Sequence, residues 1–264
     1  MLTSNPFAEL SVLVPPTVMQ VYVVIMIILV AGGTLFDILH KKSAKYFFNN
    51  WRKAKNSGAR QVGGGEAVSL VVQTVVVEGL MSGEFCNARR RIAHLLTMYG
   101  FLAYVITTAV MVFWYATPDS PGPAILPVLW WIGGLLICAG GYWFWFFLRV
   151  DIVAEANPWY RVIKADLFVL SLVITATFGL FWSYFQAVEI PVLRTFFLIL
   201  FIASNLILFG GVYWSKFAHM FYKPGAAIQK NLSEADGFRD DLPPPADKPK
   251  QFGLGIKRES PKHY

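Results

Sequence analysis

Residues 17–39 read TVMQVYVVIMIILVAGGTLFDIL, and this stretch sets the class of the fold. A bilayer core of about 30 Å is crossed by roughly 20 mostly apolar residues in a helix. The stretch meets that length with Asp37 as its one charged side chain. Four more stretches of the same kind follow, at about 92–116, 125–148, 163–187 and 195–221. The composition agrees: of 264 residues 56% are hydrophobic, 16% aromatic and only 15% charged, and the mean hydropathy is positive. The expectation is an all-α integral membrane protein, a bundle of five transmembrane helices. The first stretch lacks the basic flank and short apolar run of a cleaved signal, so it is expected to persist, with the mature chain starting at Met1.

Basic residues give an orientation. Lys41, Lys42, Lys45, Arg52, Lys53, Lys55, Arg60 and Arg89 to Arg91 follow the first stretch, and Arg149, Arg161 and Lys164 follow the third. The connections ATPDSPGPA (116–124) and QAVEIPVLR (186–194) hold one base between them. The positive-inside rule then puts the N-terminus outside and the C-terminus in the cytoplasm. The net charge of +7 is a topology signal with some attraction to anionic lipid, and nothing suggests nucleic acid. The expected organisation is an outer segment 1–16, a membrane domain 17–222 with a cytoplasmic loop 41–91, and a polar tail 223–264. Within the loop, the apolar run around GGGEAVSLVVQTVVVEGLMSGEF is too short to span and reads as interfacial or as a docking surface, with Gly63 to Gly65 as a flexible joint. The proline-rich tail reads as an extended arm, either disordered or binding a partner through FGLGIKRESPKHY.

In the third stretch Gly133, Gly134, Gly140 and Gly141 recur as pairs seven apart, which suits close helix packing or, less simply, a flat ligand. Trp114, Tyr115, Trp130, Trp131, Trp182 and Tyr184 are expected to form the interfacial aromatic belt. Cys86 and Cys138 stand far apart, so cysteine builds no iron–sulfur or zinc site within this chain.

Four histidines remain: His40, His94, His219 and His263. His94 opens the second stretch and His219 closes the fifth, so the two are expected at one membrane depth, where their imidazoles could ligate one haem iron from both sides. The plain alternative is that each is an interfacial histidine bonded to a loop carbonyl. Arg89, Arg90, Arg91, Lys164 and Lys216 at the same level could neutralise haem propionates, although topology alone demands them. Asp37, His40 and Asp166 are candidates for protonating a quinone, against the alternative that the aspartates pair with nearby Lys or Arg.

The segments ARRRIAHLLTMYGF (88–101) and SKFAHMFYKP (215–224) resemble the membrane cytochrome b family that includes respiratory nitrate reductase gamma subunits and the HdrE, DsrM and QmoC anchors. Among these the likeness is greatest to the membrane anchors of adenylylsulfate reductases, and it covers about 17–224. The resemblance implies five helices and b haems held by histidines of helices 2 and 5. Carried over, His94 and His219 match the ligands of the cytoplasmic-side haem. No histidine lies between them, and the deeper positions hold residues such as Tyr104 and Phe201, so one haem b is expected rather than two. Met98 and Met111 read as core filler.

Two functions follow. One is an electron-transfer anchor that links a cytoplasmic flavin and iron–sulfur oxidoreductase, such as adenylylsulfate reductase of sulfur metabolism, to the quinone pool through haem b. The other is a haem-free anchor or scaffold for the same kind of enzyme. A transporter is disfavoured, because no repeat, matched broken helices or midplane charges are visible.

Overall fold

The computed structural model describes residues 2–40, 42–58, 60–83, 85, 87–151, 156–213, 219–238, 251–252 and 256–257. Five helical segments are long and apolar enough to cross a membrane: Pro16–His40, Ala88–Trp114, Ile125–Leu148, Lys164–Ala187 and Pro191–Tyr213. The chain is a multi-pass membrane protein built from helices, with a short strand pair in its tail. It separates into two compact units, one of Met1–Asp37 with Arg89–Ala218 and the other of Ile38–Ala88 with His219–Tyr264.

The first unit begins with a short helix, α1 (Pro6–Leu10). The Asn5 side chain caps it, accepting from the amides of Phe7 and Ala8. α2 (Pro16–His40) and α8 (Pro191–Gly210) each start on a proline, whose missing N–H costs nothing in a first turn. α5 (Ala88–Trp114) stops ahead of the proline-rich 116–124 link, after which α6 (Ile125–Trp143) returns and ends in a π-helical turn, Phe144–Leu148. A 3-10 turn, Lys164–Asp166, leads into α7 (Leu167–Ala187). The spans run up and down. Asn5 Nδ2 donates to the Tyr115 carbonyl at 2.6 Å, Gln186 Nε2 donates to the Pro6 carbonyl at 2.7 Å, and Gln20 Nε2 donates to the Val112 carbonyl at 3.2 Å. One end of the unit thus gathers the starts of α2, α6 and α8 with the ends of α5 and α7.

The residues 1–16, expected as an outer segment, include a buried plug at that end. Phe7 and Leu10 are buried, and Phe7 lies against Trp130 and Trp182 with ring centroids 6.0 and 5.4 Å away. α6 is the central span: 44% of its apolar window is buried inside the protein, against 11% for α2. Its glycine pairs explain why. A Cβ on Gly133 would stand 2.8 Å from the Gly100 carbonyl, and one on Gly140 2.6 Å from the Ala93 carbonyl, so these two admit the backbone of α5. Gly134 and Gly141, one residue on, meet Leu180 and Val173 of α7. The pairs therefore serve two adjacent faces and seat two helices, not a flat ligand.

The fifth span is described as far as Tyr213. It was read as running to 221; α8 covers Pro191–Gly210, a 3-10 turn, Gly211–Tyr213, follows it, and 214–218 lie outside the described residues. The Gly210–Gly211 pair supplies the weak point, since glycine has the most backbone freedom to lose in a helix. α9 (His219–Ala235) belongs to the second unit.

In the second unit α3 (Ser43–Ser57) starts after Lys42, whose φ of 54° breaks the helix from its predecessor. α4 (Gly64–Gln73) continues as a π-helical stretch, Thr74–Leu80. Gly63 is its cap and Gly64 and Gly65 its first turn, so the glycine run begins a helix instead of forming a loose joint. α9 docks on both. Gln229 Nε2 donates to the Phe47 carbonyl at 3.1 Å, and Asn231 Nδ2 reaches Thr74 Oγ1 and Glu78 Oε1, each at 2.8 Å. Those amides explain why 223–235 is helical where an extended arm was expected: its polar residues have partners on α3 and on the π-helical stretch that follows α4. Of the remaining tail, Gln251–Phe252 pairs antiparallel with Ile256–Lys257, and 239–250, 253–255 and 258–264, with His263, lie outside the described residues.

Candidate functional site

The end of the first unit opposite α1 carries most of the predicted site residues. His94 sits six residues after the start of α5, about 9 Å along the helix, and is half-buried. Arg89, Arg90 and Arg91 occupy the first turn of the same helix. Asp37 is buried near the end of α2, while His40, the last residue of that helix, is exposed. The two share a helix but not an environment.

Asp166 has a basic partner. Its carboxylate accepts from Arg149 Nη2 at 2.5 Å and Nε at 3.3 Å, and from the Ile163 amide at 2.9 Å. Arg149 is fully buried at the end of α6. Its remaining donors go to the carbonyls of Pro158, at 2.9 Å, and Arg161, and its guanidinium lies over the Trp145 ring, 4.2 Å from the centroid. The π-helical turn Phe144–Leu148 sets the register that brings Trp145 and Arg149 to this node. The arginine thus ties the end of α6 to the start of α7 and to the loop between them. Asp166 is the carboxylate of a buried ion pair, the pairing that was the alternative to a part in proton delivery. In the sequence Arg149 looked only like a topology marker; its position at the close of an aromatic run, seventeen residues before Asp166, was the available signal. Lys164 beside this node is exposed.

Deeper in the unit, aromatic rings fill the core. Tyr104 stacks on Trp130 with centroids 4.7 Å apart, Trp182 stacks on Phe201 at 5.5 Å, and Trp130 meets Trp182 edge-on at 6.4 Å. Tyr104 and Phe201 converge over Gly179, where an added Cβ would overlap the Tyr104 hydroxyl and lie 2.9 Å from the Phe201 ring. Trp130 Nε1 donates to Thr108 Oγ1 at 2.9 Å, whereas Tyr104 Oη and Trp182 Nε1 are buried with no hydrogen-bond partner among the described residues. Trp130, Trp131 and Trp182 are therefore core residues, not the interfacial belt they were expected to join; Trp114 and Tyr184 are the exposed ones. Met111 is buried in the same unit.

The other predicted ligand is in the second unit. His219 is the first residue of α9, and its side chain, like Lys216, lies outside the described residues. The matched depth of His94 and His219 was argued from one continuous fifth span, of which residues 214–218 lie outside the described residues. Among the described residues no group of three or more His, Cys, Asp or Glu side chains could hold a bare metal ion.

These elements define a multi-pass helical membrane protein whose ionisable residues gather at one end of the spanning unit. No known family, characterised protein or solved structure matches the chain.

Proposed function

We propose that this protein is a membrane anchor and electron-transfer subunit, linking a cytoplasmic flavin and iron–sulfur oxidoreductase to the quinone pool through one haem b. The observation that carries the proposal is the pair of segments ARRRIAHLLTMYGF and SKFAHMFYKP, whose histidines, His94 and His219, are the proposed axial ligands. By the same resemblance the soluble partner is an adenylylsulfate reductase, the N-terminus is outside and the membrane is the cytoplasmic one. Bound haem would supply one-electron transfer, with its potential set by ligands and burial. Among the described residues, the half-buried His94 with three arginines in the preceding turn suits an axial ligand with propionates nearby. Asp37, His40 and Asp166 are the candidates for quinone protonation, and for Asp166 the ion pair with Arg149 supports the alternative of structural pairing.

The packing of Tyr104, Phe201, Trp130 and Trp182 supports one haem over two, because rings fill the depth at which the resemblance has a second ligand pair. A second reading, a haem-free scaffold, rests on the sequence's lack of the second histidine pair that the resemblance implies. A reduced-minus-oxidised spectrum and a haem assay on purified protein decide between them. The anchor reading expects one b-type haem per chain, with the band lost in His94→Ala and in His219→Ala. Protein made with ample haem supply yet carrying none would leave the scaffold.

A further inference from the structure

α3 has two faces that the unit treats differently. One side meets α9: Ala54 is 4% exposed, and the Phe47 carbonyl accepts from Gln229, while the Phe47 ring supports Phe48 and Trp51 with centroids 5.4 and 5.7 Å away. A quarter-turn away, Ala44, Phe48, Trp51 and Lys55 form a second stripe at i, i+4, i+7 and i+11, flanked by Lys45 and Arg52. Here Phe48 is 58% and Trp51 38% exposed, and Lys45, Arg52 and Lys55 are exposed beside them.

Charge names what covers this face. α3 carries Lys45, Arg52, Lys53 and Lys55 and no acid, and no Asp or Glu occurs between Asp37 and Glu66. Position in the chain names it too. Only residues 41 and 42 separate α3 from α2, a helix long and apolar enough to span a membrane, so its first residue lies within about 11 Å of chain from the end of that helix. A basic helix with aromatic rings among its cations, tethered at a membrane boundary, fits the headgroup layer: rings enter the acyl boundary while ammonium and guanidinium groups stay with phosphates.

We propose that α3 is a lipid-binding surface helix, in which Phe48 and Trp51 enter the headgroup layer and Lys45, Arg52 and Lys55 hold the phosphates of anionic phospholipids. The proposal does not depend on haem. The full chain is reconstituted in nanodiscs of phosphatidylcholine, or of equimolar phosphatidylcholine and phosphatidylglycerol. Nitroxide labels are placed singly at positions 48 and 49 in a Cys86→Ser/Cys138→Ser background. The expected result is that the label at 48 collides more with oxygen than with a water-soluble nickel chelate, that the label at 49 does the reverse, and that phosphatidylglycerol moves position 48 deeper. Lys45→Glu/Arg52→Glu/Lys55→Glu is expected to abolish that response to lipid charge. A label at 48 as open to nickel as that at 49 in both lipids overturns the proposal and leaves the face to a protein partner. Depth indifferent to lipid charge overturns the phosphate recognition. The unmodified chain gives an independent reading: amine labelling of Lys45 and Lys55 is expected to fall several-fold on adding phosphatidylglycerol while Lys230 on α9 is unchanged, and equal labelling at all three counts against the proposal.

Discussion

Arg149 is the residue on which the most geometry converges. Its guanidinium is out of water and spends its donors on Asp166 and two carbonyls, so removing one partner leaves a buried charge. Breaking such a pair costs about 3–5 kcal/mol. Asp166→Asn is expected to lower thermal stability by an amount of that order in a detergent melt. Arg149→Met/Asp166→Leu recovers only part, because the carbonyls of Pro158 and Arg161 lose their donor. A milder pair sits in the second unit, where Arg60 Nη1 and Nη2 fork onto Glu66. The Arg60 hydrogen bonds hold the Glu66 carboxyl below its ordinary value, partly opposed by desolvation. A lowered carboxylate value means the contact is fully present above about pH 4.3 and is lost as pH falls through the lower folded value. A carbon-13 titration of Glu66 should show a depressed midpoint that rises in Arg60→Gln.

At the scale of elements, the bundle depends on where side chains are missing. Gly179 admits the Tyr104 hydroxyl and the Phe201 ring, so Gly179→Ala overpacks the α5–α7–α8 contact at a cost of about 1–3 kcal/mol. In a Tyr104→Phe background the cost is expected to shrink, since the hydroxyl that meets the new methyl is gone and had no described partner. A double-mutant cycle by denaturation in detergent measures that coupling. Most of this level was legible. The five apolar runs marked the spans, because a bilayer demands length and apolarity whatever the packing, and the glycines of 133–141 announced close helix contact. What was not legible was the change of helix type within the fifth span. Apolar residues continue past Gly211, so hydropathy saw no sign of the 3-10 turn that follows α8 there. The helix at 219–235 was hidden for the opposite reason: its polar residues looked solvated, and only partners far away in sequence, Phe47, Thr74 and Glu78, make them helical.

For the whole molecule, the candidate site was legible as a set of residue types and less so as a constellation. His94 stands on a spanning helix as expected, while His219 belongs to a unit that composition did not reveal, because that unit is assembled from a loop and a tail 131 residues apart, Ala88 to His219. Under the proposed reading the haem lies on the cytoplasmic side, so electrons exchange with quinone without crossing the membrane. Reconstituted with its soluble partner and quinone, the protein is therefore expected to turn over in proteoliposomes without building a membrane potential, as followed with a voltage-sensitive dye. A potential that grows with turnover would count against a single haem on that side.

The Arg149–Asp166 node also has a bearing on biosynthesis. α6 emerges from the ribosome with its terminal guanidinium before the carboxylate seventeen residues downstream has been made. Until Asp166 is made, that cation has the Trp145 ring and the carbonyls of Pro158 and Arg161 as its protein partners but no acid, and its full burial at the end of the finished hairpin must wait. α6 and α7 are thus expected to mature as one insertion unit, locked by the arrival of a single aspartate.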